Sequence, residues 1–221
     1  MQQLRLFIAG LLIVFSSSIV SAETRVAPVI GNSKYLKASR LINPVNDAAD
    51  IEASLKRLGF SVSTVLDANY DAMRRAVGEF TRRARGAEYA LLFYSGHGME
   101  IGGENWLIPV DAELQADTDA ETQAINMKTA MLAVSSSKTL GLVILDACRN
   151  NPFLARMERT NRTRAVQPGF AHVEPGDNIV VIFAAKDGTP LLMALVATAR
   201  SRRPSSATSK RQDWRLRSCS G

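Results

Sequence analysis

Gly141-Leu142-Val143-Ile144-Leu145-Asp146-Ala147-Cys148-Arg149-Asn150-Asn151-Pro152-Phe153 is the stretch that decides the fold. Leu142 to Leu145 form an unbroken apolar run, as expected of a strand buried on both faces. The run stops abruptly at Asp146, and Cys148 follows two residues later. Open α/β sheets gather their functional groups just past the carboxyl ends of such strands. Working outward, a second run, Tyr89 to Phe93, ends in Tyr94-Ser95-Gly96-His97-Gly98, so a histidine also follows a buried strand, 51 residues before the cysteine. If the two strands are parallel neighbours, both side chains emerge at one edge, the arrangement a Cys–His nucleophilic pair requires.

The chemistry accounts for these residue types. A thiol of ordinary pKa is mostly protonated near neutrality, and a neighbouring imidazole can take its proton. Glycines on both sides of His97 let the backbone approach a substrate. The backbone N–H groups of Gly98 and Cys148 are candidate oxyanion donors. For either residue taken alone, a buried structural cysteine or a turn histidine is the plainer reading; the matched placement at two strand ends favours catalysis.

The rest of the chain alternates strands and helices. Arg25 to Gly31 reads as the first core strand, with Pro28 as an anomaly, because proline cannot donate to a sheet ladder. Asp47 to Leu58 places Ala48, Ile51, Leu55 and Leu58 on one helical face, and Gly59 stops it. Phe60 to Leu66 alternates as a strand, with Phe60, Val62 and Val65 inward. Asn69 or Asp71 caps a helix over Ala72 to Arg85, whose apolar side carries Met73, Val77 and Phe80. Met99 to Pro109 reads as a hairpin turning at Gly102-Gly103. An acidic loop (Asp111 to Glu121), a weaker helix (Ala124 to Val134), an arginine-rich irregular stretch (Leu154 to Val173) and a strand from Asn178 to Ala185 complete the pattern. The fold class is α/β, with a mostly parallel central sheet and helices on both faces.

Composition sets further bounds. At 221 residues the chain has room for one domain and little else. Its start, a basic residue followed by the apolar run Leu6 to Phe15 and small residues to Ala22, reads as a secretory signal over 1–22; an uncleaved anchor is the rival, but the run is short against the roughly 20 residues of a span. The mature protein would then be periplasmic or secreted, with no membrane association after cleavage. Two cysteines, Cys148 and Cys219, could pair in an exported chain, but Cys219 lies in a polar tail and Cys148 reads as a free thiol. With His172 as the only other histidine, no metal site is read. The net charge of +6 is confined to residues 200–221, which hold seven basic residues and one acid. The domain itself therefore has no basic signature for nucleic acid; only weak binding through the tail is expected.

Tyr94-Ser95-Gly96-His97-Gly98 followed by Leu145-Asp146-Ala147-Cys148-Arg149-Asn150-Asn151-Pro152-Phe153 resembles the caspase-like cysteine peptidases, specifically their bacterial metacaspase-like branch, over roughly Arg25 to Gly188. The resemblance implies a caspase-like peptidase domain over 23–190 with His97 and Cys148 as catalytic residues and a peptide or protein substrate. It also matches Asp47 and Asp146 to the acids lining the first specificity pocket, which implies cleavage after Arg or Lys, since paired carboxylates favour a cationic side chain. For Asp47 a charge at a helix N-terminus is the rival reading. The resemblance implies no cofactor; calcium activation occurs in the family, although Asp111 to Glu121 is not an EF-hand pattern. Residues 191–221 form a divergent basic tail where the family's final elements are missing, which leaves a catalytically impaired binding module as the alternative function. Arg156, Arg159, Arg162 and Arg164 would be accessible self-cleavage sites. The oligomeric state is not readable from the sequence.

Overall fold

The computed structural model describes residues 24–148, 152–153, 156–158, 160, 166–168, 170–171 and 173–183. The leader reading (1–22), the tail (191–221), Cys219, His172, Arg159, Arg162 and Arg164 lie outside the described residues.

Among the described residues, five strands form a parallel sheet in the order β2–β1–β3–β6–β8: β1 (Arg25–Gly31), β2 (Ser61–Leu66), β3 (Tyr89–Ile101), β6 (Leu140–Cys148) and β8 (Ile179–Phe183). Strand β3 serves two sheets. Its first half lies at the centre of the parallel sheet, and its last four residues pair antiparallel with β4 (Glu104–Leu107). β5 (Ile125–Asn126) extends that second sheet beyond β4, and β7 (Val166–Pro168) pairs with the other edge of β3. The hairpin expected over Met99–Pro109 is therefore the tail of β3 with β4, and its turn residues Gly102 and Gly103 hold φ of 61° and 83°, a region that glycine enters without strain.

Helices cover both faces, as the alternation of buried side chains demands. Helix α1 (Pro44–Arg57) begins three residues earlier than expected because Pro44 suits a first helical turn, where its missing N–H leaves no bond unmade. It packs Ala48, Ile51 and Leu55 against Ala27, Val29, Leu91, Phe93, Leu142 and Ile144. On the opposite face, α2 (Tyr70–Ala84) buries Met73, Val77 and Phe80 against Val26, Ile30, Leu92 and Val143. Asn69 caps α2, accepting from Ala72 N–H at 2.9 Å. A short helix α3 (Ala120–Gln123) sits in the acidic loop, and α4 (Met127–Ser135) is shorter than the expected Ala124–Val134 element because Ile125 and Asn126 are drawn into β5. Val65 packs with the α2 layer, whereas Val62, and Phe60 just before the strand, pack with the α1 layer, so β2 serves two faces rather than one.

Pro28 is tolerated by a local gap. β1 pairs with β3 at Val26↔Ala90 and again at Val29↔Phe93, while Ala27 and Pro28 are absent from that ladder. On the other side, Pro28 stays in register with Ser63 of β2. The missing N–H thus interrupts one ladder without shifting it.

Candidate functional site

The site grows from the pairing of β3 with β6. In that parallel ladder Ser95 is the partner of Asp146, Gly96 of Ala147, and His97 of Cys148. Adjacent strands lie about 4.8 Å apart, so the backbones of His97 and Cys148 are as close as two strands allow. Alternation then distributes the side chains. Leu91 and Phe93 of β3, and Leu142 and Ile144 of β6, all pack against α1. Ser95, His97 and Asp146 continue that parity on their strands, and Asp47 enters from α1 itself.

His97 is buried, with 2% of its surface exposed. Its Nε2 lies 2.9 Å from the Ser39 carbonyl. A carbonyl only accepts, so Nε2 carries the proton of the neutral ring and Nδ1 keeps its lone pair. Nδ1 is buried and has no hydrogen-bond partner among the described residues. Burial pushes the His97 pKa down, and the Ser39 bond opposes this in part. The result is a neutral imidazole near pH 7 whose basic nitrogen takes no hydrogen bond from the described residues, the state a general base needs.

The Gly98 N–H is aimed by the hairpin. Ile108 N–H donates to the His97 carbonyl at 3.1 Å, which makes Gly98↔Leu107 a non-hydrogen-bonded pair. The Gly98 N–H therefore points away from β4, towards the side where β6 ends. The Phe170 ring covers the other face of Gly98, and a Cβ there would fall 2.3 Å from the ring.

Two carboxylates lie beside the pair. Asp47 is 7% exposed, and its Oδ2 has no hydrogen-bond partner among the described residues. Its pKa is pushed up to about 7, first by burial, then by the charges of Asp146 and Asp50, with the nearby Ser95 hydroxyl opposing. Burial likewise raises Asp146. The structure thus brings Asp47 and Asp146 within mutual electrostatic reach in one desolvated place, and Asp47 also stands in the first turn of α1. Among the described residues no group of His, Cys, Asp and Glu is placed to hold a metal ion.

Three contributors escape sequence reasoning. The Ser39 carbonyl is one, since a backbone acceptor leaves no residue signature. The others are Tyr35 and Tyr94, which contact the His97 backbone and are taken up below. Arg156 is exposed, as an accessible cleavage site requires, and its guanidinium donates to the carbonyls of Lys37 and Glu113 and lies 4.8 Å above the Phe153 ring. It ties the segment after β6 to the loop that carries Ser39.

A parallel α/β sheet with a histidine and a cysteine as register partners at its carboxyl edge defines a caspase-like architecture. The comparisons agree. Residues 24–201 match the family model described as the caspase domain, so the chain belongs to the caspase-domain family of cysteine peptidases. The human mucosa-associated lymphoid tissue lymphoma translocation protein 1 is 32% identical over 129 residues, covering 58% of this chain and 15% of that protein. A paracaspase of Dictyostelium discoideum is 25% identical over 177 residues, covering 76% of this chain and 39% of its own length. The chain therefore spans well under half of the curated relatives it matches. Among solved structures, the Drosophila initiator caspase Dronc aligns with 12% identity and a TM-score of 0.47, over 75% of this chain and 57% of that one.

Proposed function

We propose that this chain is a cysteine endopeptidase that uses Cys148 and His97 and cleaves after Arg or Lys. One observation carries the reading: His97 and Cys148 are register partners on parallel neighbours, and the His97 nitrogen left free by Ser39 is the one without a partner among the described residues.

The reaction follows from these groups. Cys148 adds to the scissile carbonyl as its thiol proton passes to His97 Nδ1. The carbonyl oxygen becomes an oxyanion beside the Gly98 and Cys148 N–H groups. Collapse of this intermediate breaks the C–N bond, and His97 returns the proton to the leaving amine. Water, deprotonated by His97, then releases the acyl group and restores the thiol. Ser39 holds the ring in the tautomer this cycle needs. Asp47 and Asp146 supply the negative charge that an arginine or lysine side chain would neutralise.

Fluorogenic peptides ending in Arg, Lys or Asp test the proposal, with full-length protein beside Cys148→Ala and His97→Ala. Turnover of the Arg and Lys peptides that both substitutions abolish is expected. Turnover that survives Cys148→Ala, or a preference for the Asp peptide, refutes it. Binding of Arg peptides with no turnover would favour the binding-module alternative.

A further inference from the structure

The hairpin ladder has a gap at His97, and two tyrosine hydroxyls fill it. β3 and β4 pair at Met99↔Trp106 and Gly98↔Leu107. The next rung would join His97 to Ile108 by two hydrogen bonds. Only one forms, from Ile108 N–H to the His97 carbonyl at 3.1 Å. For the other, His97 N–H donates to the Tyr35 hydroxyl at 2.7 Å, and that hydroxyl lies 3.2 Å from the Ile108 carbonyl. Tyr94 folds back along its own strand, and its hydroxyl donates to the His97 carbonyl at 2.6 Å. It also accepts from Ile108 N–H at 3.2 Å, while Asn32 Nδ2 donates to the Ile108 carbonyl at 3.1 Å.

Each hydroxyl has one proton to give. The short Tyr94 contact assigns that proton to the His97 carbonyl, and the Tyr35 proton then has the Ile108 carbonyl at 3.2 Å and the Tyr94 hydroxyl at 3.3 Å within reach. Both peptide groups of His97 are then satisfied, one through each tyrosine. The Tyr35 ring also packs on the His97 ring at 4.3 Å between centroids, tilted by 53°. Tyr35, Tyr94 and Asn32 are buried with His97, so water offers no substitute partner. The sequence makes room for the arrangement: a Cβ on Gly96 would lie 2.6 Å from the Tyr94 hydroxyl and 2.7 Å from that of Tyr35.

We infer that Tyr35 and Tyr94 are positioning residues for His97, their hydroxyls replacing a ladder bond so that the histidine is held at the β6 edge rather than drawn into the hairpin. This rests on the peptidase reading for its purpose but not for its geometry. Without the Tyr35 hydroxyl, His97 N–H closes directly on the Ile108 carbonyl, and the Cα–Cβ direction of His97 turns towards β4. The ring then leaves the Ser39 carbonyl and loses its fixed tautomer.

The test uses the full chain carrying His172→Gln, so that His97 is the sole histidine. Imidazole nitrogen NMR is recorded across pH for this protein and for its Tyr35→Phe and Tyr94→Phe derivatives, both checked for folding by circular dichroism. The parent is expected to show one Nε2-protonated tautomer and a depressed titration midpoint. Both Phe variants are expected to show mixed tautomers, a midpoint moved up towards the ordinary histidine value, and kcat on Arg peptides lowered by about tenfold or more with KM within about twofold. Tyr94→Phe reads the same clamp through the His97 carbonyl, and it decides the matter where Tyr35→Phe does not fold. Unchanged tautomer and midpoint in the folded variants overturn the inference, whatever the peptidase does. Altered spectra in a parent that cleaves nothing leave the clamp standing and remove the peptidase reading alone.

Discussion

Replacing Asp47 by Asn should stabilise this protein, by an amount that grows from about pH 4 and levels off above about pH 7. The carboxyl is 7% exposed, lacks a partner at Oδ2 among the described residues, and has a pKa raised from 3.8 to about 7, mainly by burial. Below pH 3.8 the group is protonated in folded and unfolded chains alike, so the fit of the neutral form is fully retained. Between 3.8 and 7 the unfolded chain releases the proton while the folded chain holds it, so folding stability declines as pH rises. The gap of roughly three pH units, at about 1.4 kcal/mol each, sets a ceiling of about 4 kcal/mol. Relaxation of the pocket and entry of water reduce this, and we expect Asp47→Asn to gain about 2 kcal/mol at pH 8 and almost nothing at pH 4. Urea denaturation at the two pH values measures it. A variant whose stability runs parallel to the parent from pH 4 to 8, or that is weaker at pH 8, would refute the reasoning. The same substitution should raise KM for Arg peptides by about 30-fold, because it removes a buried charge that the guanidinium would pair with.

Other outcomes follow from the same site geometry. KM for Arg peptides should fall as pH rises towards 7, by up to about tenfold per unit, then level off, because the cation must displace the Asp47 proton; a KM flat from pH 5.5 to 8.5 excludes that coupling. Gly96→Ala drives a Cβ into two tyrosine hydroxyls at 2.6 and 2.7 Å and should cost about 1–3 kcal/mol in urea denaturation, with kcat falling more than thermal stability suggests. Phe153→Ala empties a fully buried position packed with Met99, Ile101 and Trp106, beneath the Arg156 guanidinium, and should cost about 3–5 kcal/mol by the same measurement.

Much of this site was legible in the sequence because its positions are strand ends. Leu142–Leu145 and Tyr89–Phe93 are apolar on both faces, and a run of that kind announces where it stops. His97 and Cys148 were therefore placed by where apolar character ends, and Asp47 by resemblance. The parts that stayed hidden share one property: they act through groups or partners that the pattern does not single out. Ser39 contributes a carbonyl, which any residue at that position could offer. Tyr94 continues an apolar run and reads as one more core residue, and Tyr35 sits in a polar loop with no periodicity. The double use of β3 was hidden for a related reason, since the glycines around His97 read as the end of a strand when they are its crossing point between two sheets.

Everything at the site depends on the register of β3 with β6, and the sequence defends that register at a distance. A strand apolar on both faces resists slippage poorly, because moving it by one residue exchanges one set of aliphatic side chains for another. Val143 and Leu145 could trade faces with Leu142 and Ile144 at little hydrophobic cost, yet Asp146 would then turn away from Asp47, and Cys148 would no longer sit opposite His97. Gly141 forbids the trade. A Cβ at this position would fall 2.6 Å from the Val134 carbonyl oxygen, a backbone atom near the end of α4 that cannot swing aside, and the Gly141 N–H is bonded to the Asn178 carbonyl at 2.8 Å. A slip in either direction would bring Leu140 or Leu142 into that contact. Gly141→Val should therefore cost activity well beyond what its destabilisation explains, although it lies seven residues from the cysteine. We expect about 1–3 kcal/mol lost in urea denaturation, together with a fall of kcat of about tenfold or more at a temperature where the variant remains folded. A folded Gly141→Val protein with parental kcat would show that the register is set elsewhere, and that the helix packed on this glycine has no part in bringing His97 and Cys148 together.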